Sequence, residues 1–423
     1  MPEVVDAVQA KDSTDTETKE VKNLNSHLTD LQKDILDAIA KKDLTRLKQN
    51  LVELKTSIDY YDDTGMTPLQ HAAFKGDKLA VELILDRGAN VNSTRHQYDY
   101  STLHFGALSA NPDVCLLLLL AGANPVAVNS VQRTPAQMAA FVGNKTVVQT
   151  INNFIPKSEI DYYTKCHDQQ TEPYLPLILA DNFHKLVMIT NLHPVKIALN
   201  VQKYPLFCEN LPKIKKVLQL LAEKQMKRRD EVNEVHAFKF HYLSWIIGEL
   251  QRAKEHAQQR KDSENQEDKE KKSDFIELFT KKVLKPAKDN QKDYLEITIR
   301  DLVREFPWRE CTVFKQIVAQ LVSPQNTLAA FDILKQSIMG HNVFADQTVY
   351  CDACNEENPT KKCSKCKTVQ YCDRECQRLH WFIHKKTCGK VGAVEKESDK
   401  EKTSKGPIDV SELQGVLQQM KGV

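Results

Sequence analysis

The sequence predicts a mainly α fold in three parts: a solenoid of stacked helix pairs, a helical middle region, and a small two-metal finger near the carboxyl end. Three observations carry this. A seven-residue motif recurs at offsets of 34 and 33 residues in the first third of the chain, apolar residues fall three and four apart through the middle, and seven of the 11 cysteines lie between Cys351 and Cys388. At about 150 residues per domain, 423 residues are too many for one core. The expected partition is a disordered 1–26, repeats over 27–152 (about three plus a degenerate first), a helical region over 153–345 containing a charged segment 252–274, a finger over 349–390, and a flexible tail 391–423 with a short amphipathic helix.

Composition narrows the function classes. The formal charge is only +2, from 59 Lys plus Arg against 57 Asp plus Glu, so nucleic acid is not an expected partner. The longest apolar run, Val114 to Ala121, is far short of the ~20 residues that span a bilayer, so no membrane span is expected. The opening MPEVVDAVQAKDSTD has neither a basic start nor an apolar core and does not resemble a secretory signal. A cytoplasmic protein is expected, and in a reducing compartment clustered cysteines point to metal before disulfides. The first 22 residues carry six acids and three bases with little apolar content, a composition too polar to bury a core.

The repeats come first in the chain. TPLQHAA begins at Thr67, STLHFGA at Ser101 and TPAQMAA at Thr134; DILDAIA from Asp34 places Leu36 and Ala40 where the next unit has Leu69 and Ala73. GANVN at Gly88 recurs as GANPV at Gly122. Thr67 suits a helix cap with Pro68 at the first helical position, where a missing N–H costs nothing. Ala72 and Ala73 are small enough for close helix apposition, and Gly88 and Gly122 suit the left-handed residue that ends a helix. Leu83, Ile84, Leu116 to Leu119 and Val147 to Ile151 are the expected shared core, since one unit cannot bury its own apolar face. The turn position occupied by Gly65 holds Asp99 and then Gln132, and Gln suits the left-handed region least. These features resemble ankyrin repeats. The resemblance implies a concave partner-binding face, and Tyr98, Tyr100 and Arg133 are its candidate contacts, Tyr and Arg being enriched at interface hot spots.

In the middle region, Leu211, Ile214, Leu218 and Leu221 form one helical stripe, and Leu243, Ile246, Ile247 and Leu250 another. Three more follow: Phe275, Leu278, Phe279 and Val283; then Leu295, Ile299, Leu302 and Phe306, closed by Pro307; then Phe314, Ile317, Val318 and Leu321, closed by Pro324. Between Arg252 and Asp274, 14 of 23 residues are charged, seven of each sign, the mark of a solvated helix extension or loop. No phosphate loop, dinucleotide fingerprint, H-E-x-x-H or G-x-S-x-G motif occurs. The scattered histidines read as core or surface residues, and the isolated Cys115, Cys166, Cys208 and Cys311 as buried thiols.

The finger carries the strongest pattern. Cys351 and Cys354 form C-x2-C, Cys363 and Cys366 a second, Cys372 and Cys376 a C-x3-C, and His384 and Cys388 an H-x3-C. Thiolate and imidazole ligands in two groups of four fit two tetrahedral zinc ions, and four protein ligands per ion leave no open position, so the ions are structural. His380 rivals His384, because Cys376, His380 and His384 fall on one helix face.

The whole segment resembles the MYND zinc finger. That resemblance implies an interleaved pairing: Cys351, Cys354, Cys372 and Cys376 on one ion, Cys363, Cys366, His384 and Cys388 on the other. It also implies a groove lined by Gln377 and Trp381 that takes proline-rich P-x-L-x-P segments, in keeping with aromatic recognition of a preordered proline helix. The module order resembles the ankyrin repeat and MYND domain-containing family, which implies a non-enzymatic adaptor acting in trafficking of signalling proteins toward cilia. A zinc-finger enzyme of the ubiquitin-ligase or MYND-methyltransferase type is the alternative.

Overall fold

The computed structural model describes residues 28–167, 170–228, 232–263, 274–287, 292–340 and 348–388. The segments expected to be a disordered amino terminus and a tail with an amphipathic helix lie outside these residues, as do residues 264–273 of the charged segment.

The front of the chain is a row of helix pairs: α1 (Asp30–Lys41) with α2 (Leu44–Glu53), α3 (Pro68–Lys75) with α4 (Lys78–Asp86), α5 (Thr102–Leu108) with α6 (Pro112–Leu120), and α7 (Pro135–Phe141) with α8 (Lys145–Asn152). The degenerate first unit is therefore a genuine helix pair. Each first helix packs on the next first helix, and each second on the next second. Local chemistry starts the helices. The Thr67 hydroxyl accepts from Gln70 N at 3.2 Å while Gln70 Oε1 accepts from Thr67 N at 2.9 Å, and Thr134 with Gln137 repeats the device.

Polar side chains then tie unit to unit. Gln70 Nε2 donates to Ser93 O, Asn111 Nδ2 to Gly76 O and Asn92 Nδ2 to Gly122 O, each at 2.9–3.0 Å. Gly65, Asp99 and Gln132 all adopt the left-handed conformation, at φ 75°, 56° and 57°. Gln132 is thus carried there by the register of its neighbours; Asn129 Oδ1 accepts from both Val131 N and Arg133 N and shapes the turn. Gly65 is needed for a second reason, since a Cβ there would lie 2.3 Å from Arg95 O.

The middle region is helical, as its stripes predict: α9 (Lys157–Asp161), α10 (Ala180–Val187), α11 (Pro194–Gln202), α12 (Pro205–Glu209), α13 (Leu211–Met226), α14 (Glu234–Ser263), α15 (Phe275–Leu284), α16 (Tyr294–Arg304), α17 (Thr312–Val322) and α18 (Ala330–Met339). Ile214, Leu218 and Leu221 of α13 face Leu243, Ile246, Ile247 and Leu250 of α14, all essentially inaccessible to solvent. The first part of the charged segment extends α14 as far as Ser263. The stripe over α17 buries only Ile317; Phe314, Val318 and Leu321 are half-buried at the edge. Cys166 is exposed and Cys208 half-buried, so only Cys115 and Cys311 match the expectation of buried thiols.

Two apolar cores result, one within the repeats and one shared by the middle helices and the finger. The middle region does not continue the solenoid. Polar contacts close the junction: His236 Nε2 donates to Asn152 O at 2.7 Å, His184 Nε2 to Ile155 O at 2.6 Å, and the buried Lys239 Nζ to Asn153 Oδ1 at 2.9 Å. Burial holds His236 down to about 4 and Lys239 down to about 7. No helix among the described residues is long and apolar enough to cross a membrane.

Candidate metal centre and docking surfaces

The finger has little regular structure: β1 (Lys361–Lys362) pairs antiparallel with β2 (Gln370–Tyr371), and α19 (Arg374–Thr387) follows. Its ligands are placed by backbone turns. After each C-x2-C pair the next residue is left-handed, Asn355 at φ 55° and Lys367 at φ 59°, and donates N–H back to the first cysteine, to Cys351 O and Cys363 O at 2.9 Å. Both sulfurs of a pair thereby turn toward one point. Asp373 caps α19, accepting from Cys376 N at 2.9 Å, which seats Cys376 in the first helical turn. His384 and Cys388 lie one turn apart at the other end, with Cys388 N donating to His384 O at 2.8 Å.

Two four-residue groups form, Cys351, Cys354, Cys372 and Cys376 in one and Cys363, Cys366, His384 and Cys388 in the other, each with ligand atoms within 4.8 Å of one another. The crossed pairing is therefore present. Tetrahedral zinc with Zn–S near 2.3 Å requires sulfurs about 3.8 Å apart, and sulfur to imidazole nitrogen about 3.5 Å. The observed separations are 3.6 Å for Cys354–Cys372, 3.7 Å for Cys354–Cys376, 3.9 Å for Cys363–Cys388 and 3.4 Å for Cys366 Sγ to His384 Nε2. The donor sets fit two structural zinc ions.

His380 belongs to neither group. Its Nδ1 meets the Tyr371 hydroxyl at 3.0 Å and its ring stacks on His384 at 6.2 Å, so it supports the ligand from behind. Trp381 is 44% exposed on the outer side of α19, its indole edge-on to His384, with the half-buried Gln377 one turn earlier on the same helix. These two residues do share a face.

The repeat-face candidates fare unevenly. Tyr100 is buried, packed among His96, His104 and Phe105 in the repeat core, and is not an exposed contact residue; the alternation of this turn sends its ring inward. Tyr98 and Arg133 are half-buried on successive turns, and Arg133 stacks over the exposed Phe141 ring at 4.8 Å. Phe141 is a surface feature that the repeat alignment hides, because its counterparts Phe74 and Leu108 are half-buried. A cleft of about 350 Å³ separates α11 from the start of α19, lined by Lys196, Leu199, Lys203, Cys354, Cys372 and Glu375.

Comparisons with known proteins agree with this geometry. Residues 351–388 match the MYND finger family and residues 35–129 match ankyrin repeats in three copies. The Caenorhabditis elegans protein "Dauer abnormal formation protein 25" is 28% identical over 384 residues, 89% of this chain and 95% of that protein. Two further relatives match over short stretches. The C. elegans "E3 ubiquitin-protein ligase hecd-1" is 34% identical over 95 residues, 22% of this chain but 4% of the ligase. The Arabidopsis thaliana "Histone-lysine N-methyltransferase ASHR1" is 42% identical over 50 residues, 12% of this chain and 10% of that enzyme.

Proposed function

We propose that this chain, an ankyrin-repeat protein with a carboxyl-terminal MYND finger, is a non-enzymatic adaptor that holds different proteins on two separate surfaces. The reading rests on one observation above all: an exposed tryptophan on the finger helix and a repeat array with its own core stand as separate units of one chain. One partner docks on the concave repeat face near Tyr98 and Arg133. The other is a proline-rich segment that lies along Gln377 and Trp381, where an aromatic surface gains contact with little ordering cost. By family resemblance the cargo is signalling protein bound for cilia.

The enzyme readings are weaker. The ligase and methyltransferase matches cover only 4% and 10% of those relatives. The groove is tested by titrating a fluorescent P-x-L-x-P peptide with the full chain and with Trp381→Ala. Loss of an aromatic anchor is expected to weaken binding at least about tenfold with both zinc ions retained. Equal affinity for the two proteins would remove the groove from the account.

A further inference from the structure

The two zinc knuckles close differently. In both turns the first cysteine's N–H is met inside the finger, Cys363 N on Val369 O at 3.1 Å and Cys351 N on Glu356 O at 2.8 Å, but in the Cys363–Cys366 turn the second carbonyl is met there too, Thr368 Oγ1 donating to Cys366 O at 3.1 Å. In the Cys351–Cys354 turn the corresponding carbonyl, that of Cys354, accepts from Asn191 Nδ2 at 3.1 Å, a residue 163 positions earlier and just ahead of α11. The same Asn191 amide donates to Glu356 Oε2 at 2.9 Å, and Lys196 Nζ lies 2.6 Å from that oxygen. Lys196, Cys354 and Cys372 line the same cleft. The next residue, Glu357, pairs at 3.3 Å with Lys145 at the start of α8 in the repeats. Cys351, Ala353, Cys354 and Cys376 are buried in the core that includes α11 and α14.

A zinc ion with four thiolates carries a net charge of −2, and an amide donor and an ammonium beside it offset that charge and hold the ligand loop in place. We propose that Asn191 and Lys196 are positioning residues for the Cys351, Cys354, Cys372 and Cys376 site, which makes that zinc the clasp fixing the finger to the helical middle. The knuckle of the second site is closed by the finger's own Thr368. The adaptor's two surfaces are then held at a fixed separation while the first site is filled.

The test uses the full chain loaded with cobalt, whose visible bands distinguish a four-sulfur site from a three-sulfur, one-nitrogen site. Asn191→Ala combined with Lys196→Ala is expected to speed chelator extraction from the four-sulfur site about 10- to 100-fold, leaving the other site at the wild-type rate. Amide exchange over 191–203 should rise as that site empties. Lys196→Arg should restore most of the retention, and Lys203→Ala, in the same cleft but without a contact to the knuckle, should match wild type. Extraction at wild-type rates from both sites, or equal acceleration at both, would overturn the proposal.

Discussion

His384→Ala is expected to lower bound zinc from two ions to one per chain and to make the end of the finger sensitive to protease. Structural zinc contributes on the order of 10–16 kcal/mol in small fingers, and removing one of four ligands forfeits a large share of it. The neighbouring His380→Ala should keep both ions, because His380 bonds the Tyr371 hydroxyl and lies outside both ligand groups. Metal analysis of the purified proteins decides this. Two ions in His384→Ala, or one in His380→Ala, would exchange the roles of the two histidines.

Lys239 gives the second large effect. Its ammonium is fully buried at the junction of repeats and middle, where burial lowers its pKa from 10.5 to about 7. The protonated form is therefore more at home in the unfolded chain. The penalty is absent above the unfolded value, grows as pH falls from about 10.5 toward 7, and levels off below that. Between pH 9 and pH 6 this corresponds to about 2–3 kcal/mol. Lys239→Met keeps the volume and removes the titration, leaving only Asn153 Oδ1 without its donor, at a cost of about 1–3 kcal/mol. Urea unfolding should show the variant gaining on wild type by about 2–3 kcal/mol as pH drops from 9 to 6. A stability difference that is flat across this range would contradict the assignment.

The zinc ligands were legible because ligand chemistry leaves little choice of residue type, and the repeats because their period is written in Thr67, Ser101 and Thr134 and in Gly88 and Gly122. The crossed pairing was legible only through the family resemblance. Tyr100 misled because a tyrosine in a turn reads as exposed, whereas side chains on such a turn alternate and its ring faces the repeat core. The role of Asn191 and Lys196 has no local signature, since their partners lie about 160 residues away. Nor did periodicity reveal that the middle shares a core with the finger: amphipathic stripes mark which face is buried and leave open what covers it. Lys239 was hidden for the opposite reason, a charged residue that periodicity assigns to the solvent side.

The central claim is that two surfaces of one chain hold different proteins. Its most direct test is quantitative partner capture on full-length protein, comparing wild type with Trp381→Ala and with a Tyr98→Ala, Arg133→Ala double variant, each verified to be folded and to hold two zinc ions. The account predicts that each variant loses its own set of partners and keeps the other's. If both variants retain every partner, or both lose the same set, the two-surface adaptor is wrong.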